Sequence, residues 1–176
     1  MSKLVERGRA PRVMLVEDSE GDATLFRRTF ERTRPDAVLA IAHTAEAALI
    51  LLQQASLNQD GGTGTEFLPD LIVTDLNLPG ISGVELIRAL KRDHRFRRIP
   101  CIVLSSSQAV QDIVAAYDAH ASGYLTKPDS MEAYAAMIES LTAYWFTLMQ
   151  VPHAEDAPWR IAGMETGYQH SRTIDL

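Results

Sequence analysis

Five short runs of apolar residues punctuate this chain, and each is followed by a stretch with helical periodicity. The runs are 13–16 (VMLV), 37–42 (AVLAIA), 70–74 (DLIVT), 99–104 (IPCIVL) and 123–125 (GYL). They are nearly continuous in Val, Ile, Leu and Ala rather than alternating with polar residues. A strand with one wet face alternates; one covered on both faces does not. Five strand-then-helix repeats of this kind predict an α/β doubly wound fold: a five-stranded parallel sheet with helices on both faces.

The segments between the runs carry helix signals. Ser19 precedes Asp22 by three residues, a capping pattern with an acid in the first turn, and Pro35 stops that helix near Arg34. Residues 45–55 form a second helix with an apolar stripe at Ala45, Ala48, Leu49 and Leu52. Residues 56–67 (SLNQDGGTGTEF) read as a flexible loop, because three glycines fall within them. Ser82 caps a third helix over 84–91, and Ser107 or Gln108 opens a fourth that runs to about His120. The fifth is the longest, from about Ser130 to Leu148. Its apolar residues span an arc of about 140°, wider than the stripe of roughly 100° that covers a core. That excess predicts either a thick core contact or a partner surface. Pro152, Pro158, Gly163 and Gly167 interrupt the remaining residues, so 149–176 is expected to be a tail, with 1–11 an N-terminal extension and 12–148 the single domain.

Composition narrows the function. Of 176 residues, 17 are Lys or Arg and 23 are Asp or Glu, a formal net charge of −6 that argues against a dedicated nucleic-acid binder. The one cysteine, Cys101, has no intrachain disulfide partner and is expected to be inert core. No run of 18 apolar residues exists, and the basic N-terminus lacks the apolar stretch of a signal peptide. A cytoplasmic location is therefore expected. The basic run 88–98 (RALKRDHRFRR) reads as a solvated helix end. The Gly61–Gly64 stretch lacks the Lys and Ser/Thr of a phosphate loop. His43, His94, His120, His153 and His170 show no metal-ligand spacing.

Ligands of an open parallel sheet bind beyond the carboxyl ends of its strands. Strand 1 ends in Glu17-Asp18, strand 3 in Asp75, strand 4 in Ser105, and strand 5 in Thr126-Lys127-Pro128. Three carboxylates, a hydroxyl and a lysine are thus expected at one sheet edge. Clustered carboxylates stay ionised only around a cation, and Mg²⁺ takes such oxygen ligands while keeping water. With a lysine and a hydroxyl beside it, the cluster can seat a phosphoryl group, and Asp75 is the natural nucleophile.

These residues bring the chain close to a known family. VMLVEDSEGDA, DLIVTDLNLPGISGVEL, IPCIVLSSS and GYLTKP resemble the receiver domain of two-component response regulators over about residues 12–148. The 30 residues from Asp75 to Ser105 and the 22 from Ser105 to Lys127 fit it too. The resemblance implies a flavodoxin-like strand order 2-1-3-4-5. It implies that Asp75 is the phosphoacceptor for a histidine kinase, and that Asp18, Glu17 through water, Asp75 and the Asn77 carbonyl hold Mg²⁺. Lys127 would pair with the phosphoryl oxygen. Ser105 and Tyr124 would act as the switch, and Pro128 would follow a cis peptide bond. The first acid, Glu17, is commonly Asp in the family, and the gap from Asp18 to Asp75 is longer than usual. DLNLPGISG, Tyr117-Asp118-Ala119-His120 and the aromatic end of helix 5 further resemble stand-alone response regulators that serve phytochromes.

The expected function is therefore that of a single-domain phosphorelay receiver, not an enzyme, whose output is protein–protein contact because no effector domain follows. A homodimer is expected through helix 5, with Tyr134, Ile138, Leu141, Trp145 and Phe146 at the interface and the tail nearby. Two other classes compete. One is a receiver-fold interaction module that works without phosphorylation, against which every chemical group is retained. The other is a flavin-binding flavodoxin-like enzyme, against which the loop after strand 1 is acidic and would repel a phosphate.

Overall fold

The computed structural model describes residues 9–57 and 67–149. The glycine-rich loop, most of the N-terminal extension and the tail lie outside the described residues. Within them the elements alternate strictly: β1 (Arg12–Val16), α1 (Glu20–Thr33), β2 (Val38–Ala42), α2 (Ala45–Leu57), β3 (Leu71–Thr74), α3 (Gly83–Arg92), β4 (Cys101–Ser105), α4 (Val110–Asp118), β5 (Gly123–Thr126) and α5 (Met131–Ala143). A π-helical turn, Tyr144–Leu148, ends the last helix. The strands form one parallel sheet, as the doubly wound reading requires, in the order β2-β1-β3-β4-β5 that the resemblance implies.

Successive strand residues point to opposite faces, and both faces are dry. Met14, Val16, Ile72, Cys101 and Val103 pack under α2, α3 and α4. Val13, Leu15, Leu71, Val73, Ile102 and Leu104 pack under α1 and α5. This two-sided burial is why the strands read as unbroken apolar runs. On the α1/α5 side Phe26 and Phe30, one turn apart on α1, stack with ring centroids 5.8 Å apart. Each is buried and contributes about 1.5–3 kcal/mol of transfer free energy.

The helix starts follow their caps. Ser19 Oγ accepts from the Asp22 N–H at 3.3 Å. Ser82 and Glu85 form a reciprocal capping box on α3. Ser130 Oγ accepts from the Ala133 N–H. Several boundaries differ from the sequence reading. Strand β3 begins at Leu71; Asp70 before it gives its N–H to the Arg12 carbonyl, and its carboxylate accepts from the Arg9 guanidinium and the Arg12 N–H. Strand β4 begins at Cys101, since Pro100 has no N–H to give a ladder. Helix α4 begins at Val110 rather than at 107 or 108. Ser107 instead forms the turn before it, its hydroxyl bonded to Asp112 and its carbonyl accepting from Tyr124. The same helix stops at Asp118, and His120 takes a left-handed conformation at φ 65°.

The expected dimer surface is corrected. Tyr134, Ile138, Leu141, Trp145 and Phe146 are all buried within the chain, in the cluster shared with α1 and the sheet. The wide apolar arc of α5 is therefore a thick core contact. The large apolar residues left exposed on this helix and its π-helical turn are Met131, Tyr144 and Leu148.

Candidate phosphoryl and metal site

Register brings the strand ends together. Val16 of β1 lies beside Thr74 of β3, so Glu17 and Asp75 leave the sheet side by side. The Asp75 N–H donates to the Val16 carbonyl at 2.9 Å, and the Glu17 N–H donates to the Ala42 carbonyl at 3.0 Å. Ser105 of β4 lies beside Thr126 of β5, and the Lys127 N–H donates back to the Ser105 carbonyl. The predicted groups therefore share one edge.

Glu17, Asp18 and Asp75 each offer an oxygen, and these atoms lie within 4.8 Å of one another. An all-oxygen set of three carboxylates on so short a span fits one hard divalent cation. Lys127 stands against the same group. Its ammonium donates to Asp22 Oδ2 at 2.6 Å, Glu17 Oε2 at 2.7 Å and Asp75 Oδ2 at 2.9 Å. An ammonium has three N–H donors, and all three are used.

The charges are strongly perturbed. Burial raises the Glu17 carboxyl above its ordinary range, and the Lys127 hydrogen bond only partly opposes this. Burial works against the Lys127 charge, yet the bonds to Asp22, Glu17 and Asp75 outweigh it and hold the ammonium above the usual lysine range. The lysine is therefore a fixed positive charge at neutral pH.

The remaining predicted residues divide. The Asn77 N–H donates to Asp75 Oδ1 at 3.2 Å, which orients that carboxylate, and Asn77 lines a cleft with Asp18. Ser105 is buried at the edge, but its hydroxyl accepts from the Ser107 N–H rather than touching Asp75. The Tyr124 hydroxyl donates to the Ser107 carbonyl at 2.9 Å, tying β5 to the segment before α4. The expectation of a cis bond at Pro128 is corrected: no described peptide bond is cis. With that bond trans, Lys127 reaches Asp22, Glu17 and Asp75.

Three residues at the site carry no functional signal in the sequence. Asp22 reads there as a first-turn acid that complements the helix dipole. His43 follows β2 and places Nδ1 3.0 Å from the Glu17 carbonyl. Gly83 opens α3 directly against the Asp75 backbone.

An acidic strand-end cluster with a lysine across it, on a 2-1-3-4-5 sheet, defines a receiver. The response regulator receiver domain family matches residues 13–139, and the chain belongs to that family. It is 31% identical to the response regulator Rcp1 of Synechocystis over 81% of this chain and 93% of that protein. Among solved structures it is similar to the phosphorylated cyanobacterial phytochrome response regulator RcpA, with a TM-score of 0.72 and 28% identity over 81% of this chain and 99% of that one. It also resembles the Mn²⁺-bound form of Rcp1, at a TM-score of 0.69 and 30% identity over 81% of this chain and 99% of that one. A third is RPA3017 of R. palustris, described in red light signalling, at 0.71 and 28% over 81% and 98%. The chain is thus a receiver-domain response regulator with an acidic pocket suited to a divalent cation and to phosphorylation.

Proposed function

We propose that residues 12–148 form a response regulator receiver in which Asp75 takes a phosphoryl group from a histidine kinase and which passes the signal on by protein contact. The observation that carries this is the double engagement of Asp75. Its carboxylate belongs to the oxygen cluster with Glu17 and Asp18, and its Oδ2 meets the Lys127 ammonium at 2.9 Å.

In the transfer an Asp75 oxygen attacks phosphorus, the P–N bond to the kinase imidazole breaks, and an acyl phosphate forms. Lys127 donates to the oxygens that carry the charge, and the Asn77 N–H keeps the carboxylate aimed. Glu17, Asp18, Asp75 and the Asn77 carbonyl would hold Mg²⁺, which supplies charge neutralisation when bound. Ser105 and Tyr124 serve as the switch, since Tyr124 already bonds the segment between β4 and α4. The kinase is of the phytochrome class, a reading supported by the descriptions of RcpA and RPA3017. The chain acts in the cytoplasm without binding nucleic acid. It pairs as a homodimer through the surface that α5 exposes at Tyr144 and Leu148, beside a cleft lined by Tyr117 and Tyr124.

Phosphotransfer profiling of the full chain against histidine kinases of the same genome tests the reading. Rapid Mg²⁺-dependent labelling by a phytochrome kinase, lost in Asp75→Asn, is the expected result. An Asp75→Asn protein that still forms the adduct overturns it. Sedimentation at micromolar concentration tests the dimer, and a monomer there defeats it.

A further inference from the structure

Asp22 has no place in the carboxylate cluster of Glu17, Asp18 and Asp75, yet it makes the shortest of the three bonds to Lys127, at 2.6 Å. The partners differ in what they would lose by letting go. The Glu17 side chain is 3% exposed, so parting from the ammonium would leave a desolvated carboxylate. The Asp22 side chain is 45% exposed and can exchange the ammonium for water. It stands on the first turn of α1, so rotation of one side chain suffices to release it.

Lys127 has no spare donor. A phosphoryl group on Asp75 adds three acceptor oxygens and further negative charge beside that ammonium. Lys127 can pass from Asp75 Oδ2 to one phosphoryl oxygen, but it can give the group a second hydrogen bond only as Glu17 or Asp22 withdraws, and the exposed one is Asp22. We infer that Asp22 is a positioning residue for phosphoryl transfer, a carboxylate that holds the third donor of Lys127 and competes with the phosphoryl group for it. This rests on the reading of Asp75 as acceptor. Asp22 thereby sets how readily the protein stays phosphorylated.

The test uses the full chain at saturating Mg²⁺, with beryllium trifluoride as the phosphoryl probe and acetyl phosphate as the donor. Asp22→Asn is expected to lower the half-saturating beryllium trifluoride concentration by about two- to fivefold, the scale of a half-exposed ion pair. Asp22→Glu is expected to restore the wild-type value. In a Lys127→Ala background Asp22→Asn is expected to change nothing. A shift that persists there reports a general field effect and overturns the inference, as does no shift in a wild-type background that takes up the probe. A structure of the beryllium trifluoride complex reads the same point without any variant. Asp22 more than about 4 Å from the Lys127 nitrogen supports the inference, and a retained ion pair overturns it. Wild-type protein that takes up neither probe nor phosphate is a different failure, one that removes the acceptor reading itself.

Discussion

A Cβ atom built on Gly83 would lie 2.0 Å from the carbonyl oxygen of Asp75, and 3.1 Å from Thr74 Oγ1. Backbone cannot yield as a side-chain tip does, so the first residue of α3 has to be glycine for the helix to seat on the end of β3. Thr74 is buried there, and its hydroxyl donates to the same Asp75 carbonyl at 2.9 Å. Gly83→Ala is therefore expected to cost about 1–3 kcal/mol, seen as a lower urea midpoint. By shifting Asp75 it also slows phosphoryl uptake about tenfold or more. An alanine protein with both values unchanged would contradict this packing.

Gly83 also illustrates what the sequence holds and what it does not. The sheet was legible because burial on both faces leaves unbroken apolar runs, and the chemistry was legible because Glu17, Asp18, Asp75, Ser105 and Lys127 each stand where such a run stops. The close approach of α3 to Asp75 exists only once β3 and α3 are packed, and a glycine after a serine cap carries no sign of it. Asp22 was hidden for another reason, since an acid in a first turn already has a local purpose. Nor can periodicity say whether the apolar arc of α5 meets α1 of its own chain or a second molecule. The isomer of the bond before Pro128 is likewise fixed by tertiary surroundings, not by the residue pair.

Cys101 opens β4 with no exposed surface, and burial pushes its thiol up to about 11. Only the thiolate reacts with alkylating agents at a useful rate. Iodoacetamide at neutral pH is expected to label the native protein only through global opening. The labelling rate should therefore rise with urea in step with the unfolding transition. Rapid labelling in the absence of denaturant would show that the sheet opens locally at the start of β4.

Ile138 and Tyr144 lie on consecutive helical segments but have opposite surroundings. Ile138 is fully buried between α1 and the sheet, whereas Tyr144 is 47% exposed. Ile138→Ala is expected to cost about 2–5 kcal/mol through lost burial and the cavity left behind. Tyr144→Ala is expected to move the monomer's stability by no more than about 0.5 kcal/mol. Chemical denaturation below the concentration at which any dimer forms separates the two. Similar losses for both would mean that the end of α5 packs more deeply than its exposure indicates.

Glu17 gives the site a pH dependence whose sign comes from its environment. Burial raises its carboxyl in the folded chain, so between the ordinary glutamate value of 4.5 and the raised one the native state binds more protons than the unfolded state. Stability contributed by this group is therefore greatest at the acid end of that window and falls as pH rises through it. Lys127 contributes oppositely placed behaviour: its raised value keeps its contribution intact through neutrality and loses it only at strongly alkaline pH. Glu17→Gln should remove the acid-side slope. A divalent cation competes with the Glu17 proton, so its affinity is expected to rise with pH across the same window and to lose most of that dependence in Glu17→Gln. Urea titrations from about pH 4.5 to 7, with and without Mg²⁺, measure both effects. A wild-type profile no steeper than that of Glu17→Gln would mean that the carboxylate is better solvated, or better paired with Lys127, than its 3% exposure and 2.7 Å contact imply.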